Sequence, residues 1–303
     1  MLPKFPQFKS LELSDKEDVE KITGKFPPYS DFNFVSMWSW DIKGEMRLSM
    51  LNENLVVRFT DYLTGEPFYS FLGDNKVNET VEELLEFSKK ESLPLELKLI
   101  PEEVVKDLDQ IKFKATEDRN NFDYIYDVSR LAELKGSEYQ SHRNSIHKFL
   151  RIYKNWKVEV VINFTEIYDK NQILSLFTQW IKNKGDSLLL EEYKNEFLSL
   201  NKLLSISDPS KLNLTCIFLC VDSKLVGFII NECVKKYNTI HFEKADTSFK
   251  GCYPFLMQQN SKILNNLNIK ELNFEQDLGV NSLRFTKTQF NPSFFLKKYL
   301  ITM

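Results

Sequence analysis

The chain has 303 residues, of which 42% are hydrophobic and 14% aromatic, and its formal net charge is −3. This length and aromatic content exclude an intrinsically disordered chain and allow two domains of common size, while the weakly acidic balance argues against a protein coated in positive charge for general nucleic-acid binding. The first residues lack the apolar core of a signal peptide, and no run approaches the roughly 20 apolar residues of a membrane span. The sequence therefore predicts a soluble, cytoplasmic protein, with weak peripheral membrane association left open.

The first part of the chain shows the pattern of a mixed α/β unit. EMRLSML and ENLVVRFT, separated by a polar pair, predict a hairpin, and EPFYSFLGD predicts a third strand. The pattern Thr80-x-x-Glu83 is a capping box that predicts the start of a helix, and the alternating run LELKLI predicts another strand. A short helix and two further strands, near residues 112–116 and 122–128, complete the predicted set.

A basic segment follows this unit. Residues 135–157, KGSEYQSHRNSIHKFLRIYKNWK, carry six Lys or Arg and one Glu. On a helical wheel the cationic side chains form one stripe and the apolar side chains another. The stripe is Arg143, His147, Arg151 and Lys154. Two interpretations stay open: an ordinary solvated face, or a surface that binds a polyanion such as tRNA or an anionic lipid headgroup.

The second part of the chain repeats the order of elements in the first, although the two sequences differ. We place the boundary near Ala132, which predicts domains of residues 1–131 and 132–303. Two helices, over residues 169–184 and about 189–204, precede a hairpin, the strand TIHFEKAD, a helix and the strand KELNF. The predicted fold class is α/β (α+β), with two similar domains that each contain a mixed, mostly antiparallel sheet flanked by helices.

Cysteine and histidine usage predicts neither disulfides nor a metal site. The four cysteines form no CxxC pair, and Cys216 and Cys220 lie inside one predicted strand, where their side chains are too far apart to bridge easily. The three histidines lack metal-ligand spacing. We interpret the cysteines as reduced apolar residues, and we expect His142 and His147 to follow the surface of the basic helix.

The strand TIHFEKAD carries a candidate catalytic base. Strand alternation puts His241 and Glu243 on one face and Lys244 on the other. A carboxylate in the middle of a sheet is unfavourable to bury unless it is paired or functional. Glu243 is therefore either a general base that removes a proton from an attacking amine, directly or through water, or a member of a structural ion pair.

The order of strands and helices between Leu212 and Pro292 resembles that of GCN5-related N-acyltransferases (GNAT). In those enzymes the loop after the third strand binds the pyrophosphate of acyl-CoA through a Q/R-x-x-G-x-G/A motif that opens a helix. The aligned residues here run from Ser248 to Tyr253, so the resemblance makes Lys250 and Gly251 candidates for donor binding. Ser248 replaces the Gln or Arg, and Tyr253 replaces the small residue. Acyl-CoA is therefore a doubtful cofactor, and no other is predicted.

Several segments together resemble one family, the proteins related to the C-terminal domain of phosphatidylglycerol lysyltransferase. They are FPPYSDFNFVSMWSWD, EPFYSFLGD, HRNSIHKF, HFEKAD and FEQDLGVNSLRFTKTQFNP. The resemblance implies a tandem GNAT fold shared with Fem-type peptidyl transferases, which move an aminoacyl group from aminoacyl-tRNA to a lipid headgroup or a peptidoglycan precursor. It therefore implies aminoacyl-tRNA, and not acyl-CoA, as the donor.

Within this resemblance, the segment EQDLG and the helix after it supply further candidate site residues. Glu275 and Asp277 follow a strand, and either is a candidate to bind the donor's α-amino group in the catalytic site. Arg284 and Lys287 are candidates to contact phosphate or a carboxylate. The alternative is structural: Asp277 caps the next helix and Arg284 pairs with it.

Two functions are compatible with these residues. The first, which we favour, is an acyl or aminoacyl transferase whose donor carbonyl lies near Glu243 and Gly251. The second is a non-catalytic binding module that has kept the GNAT fold and lost the donor site, as the altered loop around Gly251 favours.

Overall fold

The computed structural model describes residues 1–61, 65–162, 170–184 and 193–303. The chain divides into two compact units. The first unit consists of Met1–Asp123, Gln276–Arg284 and Phe295–Met303, and the second of Tyr124–Glu275 and Phe285–Phe294. Segments from the end of the chain therefore belong to the first unit. No helix in the described ranges is both long and apolar enough to cross a bilayer.

The strands within the described residues are β1 (Lys9–Ser10), β2 (Arg47–Leu51), β3 (Asn54–Thr60), β4 (Pro67–Leu72), β5 (Glu96–Pro101), β6 (Lys114–Glu117), β7 (Asp123–Asp127), β8 (Trp156–Ile162), β9 (Leu214–Val221), β10 (Lys224–Val234), β11 (Tyr237–Ala245), β12 (Glu271–Asn273), β13 (Phe294–Leu296) and β14 (Lys298–Thr302). The α-helices within the same residues are α1 (Lys16–Thr23), α2 (Phe34–Trp40), α3 (Val77–Lys90), α4 (Glu102–Val105), α5 (Val128–Glu133), α6 (Gln140–Ile152), α7 (Lys170–Asn183), α8 (Lys194–Leu203), α9 (Cys252–Asn266) and α10 (Asn281–Gln289).

The sheet of the first unit has the order β1-β2-β3-β4-β5-β14-β6. The predicted hairpin is confirmed as β2 and β3, with Asn52 and Glu53 at positive φ as a tight two-residue turn requires. α3 connects β4 to the parallel β5 and buries its apolar face on the sheet. The helix begins at Val77, earlier than the capping-box pattern predicted. The hydroxyl of Thr80 is instead buried and accepts hydrogen bonds from the amides of Asn52 and Asn54.

The sheet of the second unit has the order β13-β7-β12-β11-β10-β9-β8. β9 is buried along its whole length, as expected for a strand covered on both faces. β9, β10 and β11 form an antiparallel meander, and α9 then carries the chain to β12, which pairs with β11 in parallel. The predicted fold class is confirmed: both units are mixed, mostly antiparallel sheets with helices packed on them.

Strand membership differs from the prediction in one respect. The strand predicted near residues 122–128 is β7, which pairs with β12 in the second sheet, not with the strands before it. β14 takes its place in the first sheet, where it pairs antiparallel with both β5 and β6. Sequence pattern fixes each strand but not its partner, because hydrogen bonds in a sheet join residues far apart in the chain. The predicted domain limits, 1–131 and 132–303, stay a prediction.

One predicted helix also differs in length. The basic helix was predicted over residues 135–157, but α6 ends at Ile152, and Trp156 and Lys157 begin the edge strand β8. α7 matches the predicted helix from Lys170 onward, and α8 matches the later part of the next one. Residues 169 and 189–192 of those predictions lie outside the described residues.

A buried ion cluster holds the first unit together around Lys298 of β14. The Lys298 ammonium is fully buried and lies 2.8 Å from a carboxylate oxygen of Asp123, and it also pairs with Asp31. Ser30 donates its backbone N–H and its hydroxyl to Asp123, at 2.8 and 2.6 Å. Burial lowers the pKa of Lys298, but the charges of Asp123 and Asp31 raise it above its ordinary value. The cluster thus joins β14, the start of β7 and the segment FPPYSDF.

Replacing Lys298 should destabilise the protein strongly. Lys298→Met leaves two buried carboxylates without their cation, and breaking such a buried ion pair costs about 3–5 kcal/mol. The midpoint of urea unfolding measures the loss. Lys297→Met is the matched control, because Lys297 is exposed and its pair with Glu117 lies at the surface, where an ion pair contributes about 0–1 kcal/mol. Equal losses in the two variants would contradict the structural role of the cluster.

Candidate functional site

The candidate site lies in the second unit, where two neighbouring strands separate. β11 pairs with β12 only through Tyr237–Thr239. β11 then continues to Ala245 with β10 on its other side, and within the described residues no strand pairs with residues 240–245 on the β12 side. We call this opening, between residues 240–245 and the Phe274–Glu275 segment, the β11–β12 gap.

His241 lies at a β-bulge beside the β11–β12 gap. Ile230 of β10 is opposite Phe242, and the next residue, Asn231, is opposite Ile240, so His241 is the extra residue between two pairs. A bulge of this kind bends a strand and re-aims a side chain. The sequence placed His241 and Glu243 together by simple alternation, and it carried no sign of the bulge.

His241 joins two carboxylates into a buried triad. Its Nε2 lies 3.5 Å from Glu232 on β10, and its Nδ1 lies 3.5 Å from Glu275, which follows β12. The side chains of His241 and Glu232 are each 1% exposed, whereas that of Glu275 is 20% exposed. Burial lowers the pKa of His241, but hydrogen bonding to and the charges of the two glutamates raise it to about 9. The imidazole is therefore a cation at neutral pH.

Glu243 is the second acidic group at the gap. It is partly buried, and it makes no hydrogen bond or ion pair within the described part of the chain. Burial raises the pKa of Glu243 to about 8, against the opposing charges of Lys244 and Lys287. Lys244 pairs instead with Glu196 at 2.5 Å. A carboxyl group with a pKa near neutral is suited to accept and return a proton.

Lys287 of α10 lies in the second unit and is buried. Its ammonium donates to the backbone carbonyl of Phe274 and lies over the ring of that residue, 4.6 Å from the centroid. Its own carbonyl accepts the hydroxyl of Tyr126 at 2.8 Å. The structure therefore places Lys287 beside the chain that follows β12, as a positive charge that acts on Glu243. Its predicted contact with a phosphate or carboxylate ligand stays a prediction.

Gly251 opens α9 in a conformation that favours glycine. Its φ is +82°, and a Cβ at this position would lie 2.2 Å from the backbone carbonyl oxygen of Ser145 on α6. Any side chain would therefore collide with the helix. The loop before α9 and the basic helix are in close contact here, which gives Gly251 a packing role whether or not it binds a donor.

The loop before α9 does not fit the pyrophosphate of CoA. The N–H of Ser248 donates to the Asp246 carboxylate at 3.0 Å, that of Phe249 to the Asp246 carbonyl at 3.0 Å, and that of Lys250 to the Tyr153 hydroxyl at 3.2 Å. Three donors that a phosphate would need thus have partners within the protein. Lys250 itself is exposed.

Asp246 adds a negative charge to the same loop. Its carboxylate is 2% exposed and also accepts the amide of Asn183 at 2.7 Å and lies 3.3 Å from the ammonium of Lys224. Burial raises the pKa of Asp246, but hydrogen bonds from Ser248 and Asn183 bring it below its ordinary value. An ionised carboxylate at this position opposes a second anion.

Asp277 and Arg284 lie in the first unit and bind each other. Arg284 donates to both carboxylate oxygens of Asp277, at 3.0 and 2.8 Å, and Arg119 lies 3.2 Å away. The N–H of Gly279 donates to Asp277 at 2.8 Å. The structure therefore contains the Asp277–Arg284 pair of the structural alternative, and these contacts occupy the Asp277 carboxylate. The catalytic role predicted for Asp277 and the ligand-binding role predicted for Arg284 stay predictions.

The basic stripe on α6 has an exposed part and a partly buried part. His147, Arg151 and Lys154 are exposed. Arg143 instead donates to the backbone carbonyls of Leu134 and Gly136, at 2.5 and 2.6 Å, and so fixes the turn after α5. Of the exposed cations of the stripe, Arg151 thus lies in the last turn of α6 and Lys154 just beyond its end.

Comparison with known proteins identifies the family. The sequence matches the family described as phosphatidylglycerol lysyltransferase, C-terminal, over residues 25–302. The chain belongs to this family. Its fold is that of GNAT-like acyltransferases, in two units.

Three relatives illustrate the family. A conserved protein of unknown function from Bacteroides thetaiotaomicron VPI-5482 is 27% identical, with 99% of each chain covered and a TM-score of 0.84. L-PGS from Bacillus licheniformis is 12% identical, covers 97% of this chain and 92% of its own, and has a TM-score of 0.63, which shows a common fold. An uncharacterised protein of Mycoplasmoides gallisepticum is 22% identical over 178 residues, 59% of this chain and 55% of that protein. The match thus spans about half the length of that relative.

Sequence reasoning missed two carboxylates of the candidate site. Glu232 is the single acidic residue in the apolar strand KLVGFIINECV, and that isolation was a usable signal. Asp246 ends the strand TIHFEKAD, but only the structure shows that it binds the loop. One prediction about the histidines was wrong: His142 is buried against Phe290, 4.5 Å between ring centroids, not at the helix surface.

Removing the charge of Glu243 should stabilise the protein at high pH. The folded-state pKa near 8 lies above the ordinary value of 4.5, so the folded state loses stability as pH rises from about 4.5 to 8. Glu243→Gln abolishes this loss. We expect the variant to melt a few degrees higher than wild type at pH 8 and by a smaller margin at pH 5, measured by calorimetry. Glu86→Gln, a change of an exposed glutamate on α3, should show no such trend, and a constant margin for Glu243→Gln would contradict the assignment.

Proposed function

We propose that this protein is an acyltransferase that moves an aminoacyl group from aminoacyl-tRNA to an amine or hydroxyl acceptor. The observation that carries the proposal is Glu243, a partly buried carboxyl group with a pKa raised to about 8 at the β11–β12 gap of a GNAT-like sheet. The family description names a lysyl transfer to phosphatidylglycerol. We carry over the aminoacyl class of the donor and propose no particular amino acid or acceptor.

In the proposed reaction Glu243 acts as the general base. The acceptor nitrogen or oxygen attacks the ester carbonyl of the donor and gives its proton to Glu243. The new bond to the carbonyl carbon forms, the ester bond to the tRNA ribose breaks, and the proton passes to the departing ribose hydroxyl. A backbone N–H from residues 240–245 stabilises the developing oxyanion, and binding both substrates in the gap supplies the proximity.

The loop before α9 supports a donor other than acyl-CoA. Its N–H groups have partners in Asp246 and Tyr153, and its carboxylate repels phosphate. An aminoacyl-tRNA does not need this loop, because its nucleic-acid part can bind elsewhere through phosphate contacts. The exposed cations of α6 are the proposed contact. Because tRNA is charged in the cytoplasm, this proposal also places the protein there.

A second candidate function is a non-catalytic binding module. Tyr253 favours it. This side chain is partly buried near Glu243, and burial raises its pKa well above the ordinary value. An aromatic side chain here fills space that a small residue leaves open to the donor in related enzymes. The two functions differ in whether the protein turns over a donor.

Loss of Glu243 should abolish transfer while leaving the fold intact. With purified, radiolabelled aminoacyl-tRNAs and a mixture of candidate acceptors, we expect label release by wild type and a rate reduced about 10²–10⁴-fold in Glu243→Gln, the usual contribution of general base catalysis. Acyl-CoA is tested in parallel. Turnover of acyl-CoA alone would overturn the choice of donor, and absence of turnover with every donor by well-folded protein would favour the binding module.

The basic stripe should contribute to tRNA binding through exposed side chains. In Arg151→Ala/Lys154→Ala we expect weaker binding of tRNA and a dependence of log K on log salt that is shallower by about 1 for each lost phosphate contact. Filter binding at several salt concentrations measures both. Lys89→Ala/Lys90→Ala, which removes two exposed cations of α3, is the control of equal charge. The same loss in both variants would return the stripe to an ordinary solvated face.

A further inference from the structure

We propose that His241 is a positioning residue that holds Glu275 to receive a primary ammonium group, the α-amino group of the aminoacyl donor. This inference rests on the proposed function and adds the recognition of the donor's amino end. Glu275 was one of two acidic candidates for this contact. Asp277, the other, already accepts from Arg284, Arg119 and the N–H of Gly279.

Only one side chain of the triad reaches the surface. Glu232 and His241 are each 1% exposed, and Glu275 is 20% exposed. The imidazole lies between the two carboxyl groups, and of the three side chains only that of Glu275 reaches the surface, where an ammonium group can approach it. An interior cation between two carboxylates fixes both, because each nitrogen of the ring faces one of them. The carboxylate at the surface is thereby held in one orientation.

The backbone of Glu275 is fixed as well. Its φ is +54°, a left-handed conformation that is unusual for a residue with a side chain. The N–H of Glu275 donates to the side-chain oxygen of Asn273 at 2.7 Å, and its carbonyl accepts the N–H of Tyr124 at 3.2 Å. Strained residues of this kind persist where the surroundings determine them, and they concentrate at ligand-binding positions. Position, orientation and charge of one carboxylate are thus set by separate contacts.

The test compares two ligands that differ only at the amino group. The probes are 3′-alanylamino- and 3′-lysylamino-3′-deoxyadenosine, stable amide mimics of the aminoacyl end, and the same compounds with the α-amino group acetylated. By calorimetry we expect wild type to bind the free amine at least about tenfold more tightly than the acetylated form. In Glu275→Gln and His241→Asn the ratio should fall to about one, and in steady-state transfer His241→Asn should raise KM more than it lowers kcat.

Glu271→Gln provides the matched control, because Glu271 lies on β12, pairs with Lys236 at 3.4 Å and is outside the triad; its ratio should equal that of wild type. A wild-type ratio near one, no binding of either probe, or an unchanged ratio in Glu275→Gln would overturn the inference. An unchanged ratio in folded His241→Asn would overturn the positioning role. If His241→Asn does not fold, the binding ratios of Glu232→Gln and Glu275→Gln decide the question. If the protein prefers the free amine but transfers no aminoacyl group, only the proposed function is contradicted. If it transfers the aminoacyl group without preferring the free amine, only this inference is contradicted.

Discussion

The arrangement of the second unit depends on the point at which the pairing of β11 with β12 ends. Every backbone N–H and C=O in a sheet needs a partner, and among the described residues β12 pairs with β11 only as far as Thr239. β12 then ends, while β11 continues for six residues. The bulge at His241, the raised pKa of Glu243 and the left-handed Glu275 all lie around this opening. The end of the β11–β12 pairing is thus the feature around which the candidate site is built.

The acidic side chains of the protein fall into two groups according to what neutralises them. Asp277 is bound by two arginines and an N–H, and Asp123 by a buried lysine and a serine. Such carboxylates have contacts that explain their burial without a ligand. Glu243 has no such contacts among the described residues, so its burial is not offset and raises its pKa. This contrast, more than the presence of acids near a strand end, is what makes Glu243 the candidate functional carboxylate.

The sequence predicted the order of elements, the two hairpin turns and the mixed sheets, because these follow from local periodicity and turn residues. The family was predicted from a resemblance of several segments to known members. It did not predict that β7 joins β12 or that β14 joins β5, since strand partners depend on long-range contacts. In the site, Glu243 and Glu275 were found from their place on strands. The triad was not, because a bulge changes the neighbours of His241 without a sequence signal, and Glu232 comes from a different strand. Arg143 was read as a ligand contact, whereas its guanidinium binds carbonyls in a turn that helical periodicity does not describe.

The loop before α9 shows how a conserved fold can keep a structure and change its chemistry. The left-handed glycine and the helix start remain, and Gly251 is required for the contact with Ser145. The donors that face outward in a phosphate-binding loop here serve Asp246 and Tyr153. The Asp246 carboxylate accepts the N–H and the hydroxyl of Ser248 and faces the cation of Lys224, so the loop contains its own anion. With the loop ordered by its own residues, the proposed aminoacyl donor would be recognised through other surfaces, and its amino end is the part for which we propose the acidic gap.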